Sequence, residues 1–325
     1  MDTEREIIIG ETTARVVLDS LNESGARLTT VEVEFPTIIQ AQVNTHKALS
    51  KNAASQRAIP SKRWLYEVPV FVPNMVALAQ KGMGESEFLE GEELEIFRRQ
   101  WLEWEAENVA KFEEIQAFWK ARKGRGISKG LMNRPLGTFR YTRVVLTGVG
   151  DIRGWKNFER LRCASDAQGE HQLLANKIRE EIAASTPVLR TWHLPYAPED
   201  LPLGRRITWS CSQCARVSFR RENTDNAIVD RRIFGGLSGK GHWSTFEHQA
   251  VDPWSTCCVS NDEAESTDDL FRILENTTVP SVEWEANFYG SKWAQLRKFF
   301  DHHTSSPGAE DLFFLLNGWI EDQIK

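Results

Sequence analysis

The sequence predicts an α+β fold, and three observations carry that prediction: strand-like segments rich in β-branched residues, one very long amphipathic helix, and a second helical run. From Val31 to Ile39 the chain alternates and ends in β-branched residues, which predicts a strand feeding a polar run from Gln40 to Arg57. Ala58-Ile59-Pro60-Ser61 closes that run. Between Glu87 and about Lys123, Leu94, Phe97, Trp101, Trp104, Val109, Phe112, Ile115 and Trp119 recur at three- and four-residue steps among charges, the stripe of an amphipathic helix with its tryptophans in the buried face. Lys120 to Gly126 ends it, and Tyr141 to Thr147 reads as a strand.

Trp155 to Ala184 reads as a second helix, and Thr186 to Arg205, with four prolines and Gly204, as a linker. Beyond it come a short strand at Ala215 to Phe219, a mobile glycine-rich loop at Gly235 to Gly241, and helices at Trp293 to Phe300 and Leu312 to Ile324. The organisation predicted is one domain over 1–325, with halves at 1–190 and 206–325 joined by a linker at 191–205.

Composition sets the limits on function. The chain has 325 residues, 41% hydrophobic and 26% charged, enough to bury a substantial core. A net charge of −6 argues against broad capture of nucleic acid polymers, while leaving room for a few arginines around a small phosphate ligand. Five cysteines, an odd count in a chain too long to need stapling, fit a reducing compartment. With no apolar stretch of bilayer length and no basic-then-apolar start, a cytoplasmic protein without membrane contact is expected.

Three polar constellations carry the chemistry. The first is Gln42 to Arg57, whose His46, Ser50, Asn52, Ser55 and Arg57 match, at the same spacing, the R-H-R-x-x-S-x-N-x-x-S-x-R signature of flavin-dependent thymidylate synthases. Lys47 replaces the second arginine, Thr45 the first, and Ala53 stands where a glutamate is frequent. The second, Gly241 to His248, resembles that family's H-x-S-P-F-E-H segment, with Cys214-Ala215-Arg216-Val217-Ser218-Phe219 resembling the A-A-R-V-S-F strand upstream of it. The third, Asp151 to Arg162 with Asp166 to Glu170, is similar to the N-x-R-x-x-x-N-F-x-x-L-R helix and its A-Q-x-E continuation, with Asp151 in place of asparagine. Asn133-Arg134-Pro135-Leu136 resembles the segment whose arginine holds the nucleotide phosphate. The second element follows the first here instead of preceding it, so the resemblance implies a circularly permuted order, with a central antiparallel or mixed sheet and long helices.

The resemblance implies C5 methylation of dUMP to dTMP, with FAD as cofactor and methylenetetrahydrofolate and NADPH as co-substrates. It assigns nucleotide contact to Gln42, Ser55, Gln56, Arg57, Arg134 and Arg162, with Arg162 polarising the uracil as the catalytic residue. Flavin contact falls to Thr45, His46, Lys47, Ser50, Asn52, His242, Ser244, Glu247, Arg153 and Asn157. A homotetramer with sites between subunits is also implied. The Thr45 and Ala53 departures keep open a related methylase or hydroxymethylase of another pyrimidine nucleotide such as UMP, and a non-catalytic flavin- or nucleotide-binding protein. An interaction module built on the tryptophan-rich helix is the remaining alternative.

No metal site is expected. Cys211, Cys214, Cys257 and Cys258 have the chemistry for zinc but an unsuitable spacing, and His242, Glu247 and His248 lack the H-E-x-x-H pattern.

Overall fold

The computed structural model describes residues 7–79, 87–218, 226–238, 240, 242–255 and 281–301. A five-stranded mixed sheet forms the centre, in the order β3-β4-β2-β1-β5. Its strands are β1 (Thr13–Leu21), β2 (Arg27–Pro36), β3 (Ser50–Ala53), β4 (Tyr141–Val149) and β5 (Val188–Leu189). All neighbours are antiparallel except β1 and β5. The α+β expectation and the mixed central sheet therefore hold. The predicted strand at 31–39 starts earlier and stops at Pro36, beyond which Thr37–Ile39 turns as a 3-10 helix into α1 (Gln40–Asn44). Proline has no N–H to continue the ladder.

Side-chain alternation gives this sheet two unlike faces. Val31, Val33 and Phe35 of β2 and Val144 and Leu146 of β4 pack against Trp155 and Phe158 of α5 (Trp155–Arg162) and Leu174, Ala175 and Ile178 of α6 (Gly169–Ala184). The predicted helix at 155–184 is thus two helices. The break falls at 163–168, where the Gln168 side chain accepts from the His171 N–H and starts α6 afresh.

The other face mixes apolar with polar residues. Ser20, Thr30 and Thr147 are fully buried there and hydrogen bond to His193 and His248 from the chain's second half. His193 belongs to, and His248 just precedes a strand of, a small antiparallel sheet of β6 (Trp192–His193), β7 (Ala250–Val251) and β8 (Ala294–Gln295). The segment 191–205 is therefore no exposed linker: Trp192, His193 and Leu194 are among the most buried residues of the chain. Its prolines punctuate instead, Pro195 after β6 and Pro202 before α7 (Leu203–Ala215).

Two further readings are corrected. Ala215 closes helix α7 and residues 216–218 form a turn, because Leu203, Ile207, Cys211 and Cys214 bury one helical face; Phe219 lies outside the described residues. Gly235 and Gly236 sit inside α8 (Ala227–Ser238), where Phe234 and Leu237 packing into the core outweighs the poor helix propensity of glycine.

The long helix α3 (Gly91–Lys123) forms as predicted, with an αL glycine, Gly124, at its end. It buries Glu105, Val109 and Phe112, whereas Trp104 is half exposed at 52%. The helix predicted at 293–300 is β8 followed by α10 (Leu296–Asp301), and the one at 312–324 lies outside the described residues. Three shorter helices occur among the described residues, α2 (Ser61–Tyr66), α4 (Lys129–Met132) and α9 (Ser281–Glu285). Among the described residues no helix is long and apolar enough to cross a membrane.

Candidate active site

The signature run becomes a short helix, a tight turn and a strand, and that geometry sorts its side chains. After α1 the chain turns through His46 N–H to Val43 O and Leu49 N–H to His46 O. Leu49 is buried against Gly148 of β4, where a Cβ would approach its Cδ2 to 2.4 Å, so any larger residue there would displace the Leu49 side chain. Strand β3 then pairs Ser50 with Thr147 and Asn52 with Val145. Ser50 and Asn52 consequently face the layer holding His248, while Lys51 and Ala53 face α5.

Three groups result. In the first, Arg162 at the end of α5 donates from Nε to Nε2 of His46 at 2.8 Å and from a terminal nitrogen to Thr45 Oγ1 at 3.3 Å. His46 lies edge-on to Phe158, with ring centroids 4.8 Å apart. His171, which sequence reasoning did not single out, is buried 6.0 Å from the His46 ring and hydrogen bonds through Nδ1 to Gln42 Oε1 at 3.0 Å. An acceptor at Nε2 of His46 requires that imidazole to be neutral. Burial first, then the Arg162 and Lys51 charges, hold its pKa down at about 4; burial, Arg162 and His46 hold His171 at about 3.

Among the described residues cations outnumber anions here. Lys51 donates to the His46 and Leu49 carbonyls, and burial together with Lys47 lowers its pKa to about 8, against the opposing pull of Glu247. The second group is a loop. Ser55 and Arg57 are exposed, and Asn133, fully buried, ties the loop down by donating to the Gln56 and Ile59 carbonyls at 2.9 and 3.1 Å. Arg134 follows at once, exposed, so Arg57 and Arg134 sit on two segments joined by Asn133. Gly137 leaves room for Gln56, whose Nε2 would lie 2.7 Å from a Cβ there. Asn133 is a positioning residue that the motif reading passed over, because its neighbour carried the charge.

The third group brings the second constellation to the signature strand. Asn52 donates to the Cys214 carbonyl and accepts from Ser244 Oγ at 3.5 Å, 192 residues away in sequence. Several side chains assigned to flavin contact are engaged inside the chain. Ser50 is fully buried and accepts from Asn287 and Gln295, at 3.2 and 3.1 Å. Glu247 is ion-paired with Arg297, and Arg153 with Asp151 while it also donates to the Tyr289 carbonyl. Asn157 accepts from Arg160, and His242 and Lys47 are exposed. The first and second groups share no hydrogen bond among the described residues. Two concavities of about 420 Å³ lie elsewhere, one under Trp155 and Ile178 and one beside Thr12 and Arg98.

No cluster of histidine, cysteine, aspartate or glutamate suited to a metal occurs among the described residues, and Cys257 and Cys258 lie outside them.

These features define a mixed-sheet α+β protein with an arginine–histidine site beside cations that have no ion pair among the described residues. Residues 27–188, about half of the chain, match the model of the family described as Thymidylate synthase complementing protein, and through this segment the chain belongs to that family. The segment contains the signature, Arg134, Arg153, Asn157 and Arg162, and ends before His242, Ser244 and Glu247. No curated protein matches the chain. Among solved structures, a UMP/dUMP methylase PolB from Streptomyces cacaoi bound with 5-Br dUMP aligns at 14% identity and a TM-score of 0.43, over 55% of this chain and 92% of that one. The same methylase bound with 5-Br UMP aligns at 16% identity and a TM-score of 0.42, over the same shares. Likenesses this low fix neither fold nor ligand on their own.

Proposed function

We propose that the chain methylates the pyrimidine ring of dUMP at C5, with FAD as cofactor and methylenetetrahydrofolate and NADPH as co-substrates. The observation that carries this reading is the hydrogen bond between His46 and Arg162, 116 residues apart, which joins two of the motifs that resemble the family. Family membership supports a methyltransferase acting on uracil nucleotides; the choice of dUMP rests on the motif resemblance.

The donor set fits the anionic cofactor. Lys51 feels the charge of Lys47 and the opposing charge of Glu247, which is itself paired with Arg297, and Arg162 acts on His46 and His171, both held neutral. That excess of positive potential suits a diphosphate or a nucleotide phosphate. Because Ser50, Glu247 and Arg153 are already engaged, the direct flavin contacts narrow to Lys47, His46, Ser244, Asn157 and His242, with Thr45 and Asn52 behind them. Bound there, FAD supplies the redox chemistry and the folate the one-carbon unit.

The chain's own part is binding and electrostatics. Gln42 and Ser55 hydrogen bond the nucleotide, Arg57 and Arg134 neutralise its phosphate, and Gln56 lines the same loop. Arg162 stabilises negative charge that develops on the ring, a contribution that is large in a water-poor site. Arg57 and Arg134 form a group apart from Arg162, so the complete site takes one group from each of two subunits of a homotetramer. The circular permutation belongs to the same reading: the contact of Ser244 with Asn52 supports an F-E-H element displaced in sequence but seated beside the signature strand.

Titration of the FAD-loaded protein with dUMP, UMP and dCMP, followed by mass analysis of turnover products, tests the reading. A flavin spectrum that shifts with dUMP, and dTMP as product, are the expected results. Turnover of UMP alone moves the specificity to the ribonucleotide. A flavin spectrum that responds to dUMP without turnover makes the chain a binding protein, and no flavin binding overturns the proposal.

A further inference from the structure

His171 is buried on α6 and its ring faces the site. Its partner, Gln42 Oε1, is a carbonyl oxygen and only accepts, so the proton of the neutral imidazole sits on Nδ1. Two consequences follow from that tautomer. His171 Nε2 is left as a buried acceptor with no partner among the described residues, a cost that an apolar side chain packed against Phe158 would avoid. The Gln42 carboxamide, with its oxygen held from behind, turns its NH2 group away from His171, and that group has no partner among the described residues. A side chain that carries an unpaired nitrogen in the core while holding one amide in one orientation is explained by the orientation it imposes.

We propose that His171 is a positioning residue that sets base specificity: by locking Gln42 with its NH2 toward the ligand, it presents a donor to the carbonyl at position 4 of uracil and rejects the amino group of cytosine. The inference rests on the function proposed above. A freely rotating carboxamide offers either its NH2 or its carbonyl, and so pairs with uracil or cytosine alike; a locked one does not. A site built to hydrogen bond one group discriminates strongly against its replacement, because the mismatch leaves two donors facing each other.

The test compares dUMP and dCMP binding and dUMP steady-state kinetics in wild type, His171→Leu, His171→Asn and Gln42→Ala, with retained flavin and thermal melting as checks on folding. His171→Leu is expected to weaken dUMP about tenfold, raise KM more than it lowers kcat, and collapse the dUMP/dCMP ratio. His171→Asn, whose amide N–H lies near the place of Nδ1, is expected to restore most of the ratio. Adding His171→Leu to Gln42→Ala is expected to change nothing further.

A folded His171→Leu protein that discriminates as well as wild type overturns the proposal, as does a full tenfold loss in the Gln42→Ala background. Should His171→Leu fail to fold, His171→Asn decides together with Gln42→Ala: discrimination retained in the latter overturns it. A wild-type protein that binds no pyrimidine nucleotide overturns the function itself, a result distinct from binding without dependence on His171.

Discussion

At the residue scale the proposed chemistry centres on Arg162. Its guanidinium makes two directed hydrogen bonds at once, to His46 Nε2 and Thr45 Oγ1, a fork that a lysine ammonium does not reproduce. Arg162→Lys is expected to lower kcat on dUMP by about 100-fold, in the range for removing one preorganised donor, while flavin binding persists; steady-state kinetics on flavin-loaded protein check this. Lys51 sets a pH dependence. Its ammonium is lowered to about 8 by burial and by Lys47, so the positive charge present at pH 7 is lost as pH rises through about 8. Affinity for a phosphate-bearing ligand should fall several-fold between pH 7 and 9. Lys51→Met should flatten that profile, and an unchanged affinity at pH 9 would contradict it.

Among the elements, helix α3 depends on one ion pair. Glu105 and Arg140 are both fully buried, 2.7 Å apart, and Arg140 also donates to the Trp64 and Phe139 carbonyls at 2.9 and 3.0 Å. The pair therefore ties α3 to α2 and to the start of β4. Removing one partner strands a buried charge at a cost of about 3–5 kcal/mol, whereas replacing both with apolar residues is often neutral. Glu105→Ala should depress the denaturation midpoint far more than the double change Glu105→Leu with Arg140→Met. Urea titration of both variants separates the two cases.

The whole molecule is built as layers whose second interface is polar. The chain Ser20–His193–Thr30–Thr147–His248 crosses from β1 to the loop before β7 entirely out of water. Burial, with Arg190 and His248 beside it, lowers the His193 pKa well below its usual value, and His46 and His171 are lowered as well. Between pH 6.5 and about 4 the unfolded chain therefore takes up protons at these three histidines that the folded chain does not, so stability falls as pH falls through that window. Asp252, raised to about 6 chiefly by burial, opposes with one group over part of the same range. Three against one leaves a net loss, and the melting temperature should drop by several degrees from pH 7 to pH 5. A flat profile in scanning calorimetry would contradict it.

Local chemistry determined a good deal. The residues of β2, β4 and α3 follow from period-2 and period-3.6 patterns that the sequence displays directly, and the spacing of His46, Ser50, Asn52, Ser55 and Arg57 identified the family before any contact was known. Tertiary structure decided what depends on residues far apart. Nothing near Thr186 to Arg205 announces that Trp192 and His193 lie in the core, because turn-forming prolines mark a change of direction and say nothing of what covers it. The helical run of Leu203, Ile207, Cys211 and Cys214 was legible but masked by the strand-like Val217, and helix propensity lost to packing at Gly235 and Gly236. At the site, the motifs assigned roles to Arg162 and Gln42 but none to Asn133 or His171, which make hydrogen bonds to distant backbone and side-chain atoms. Spacing along the chain fixes which face a residue occupies on its own element; only packing of one element on another fixes what that face meets.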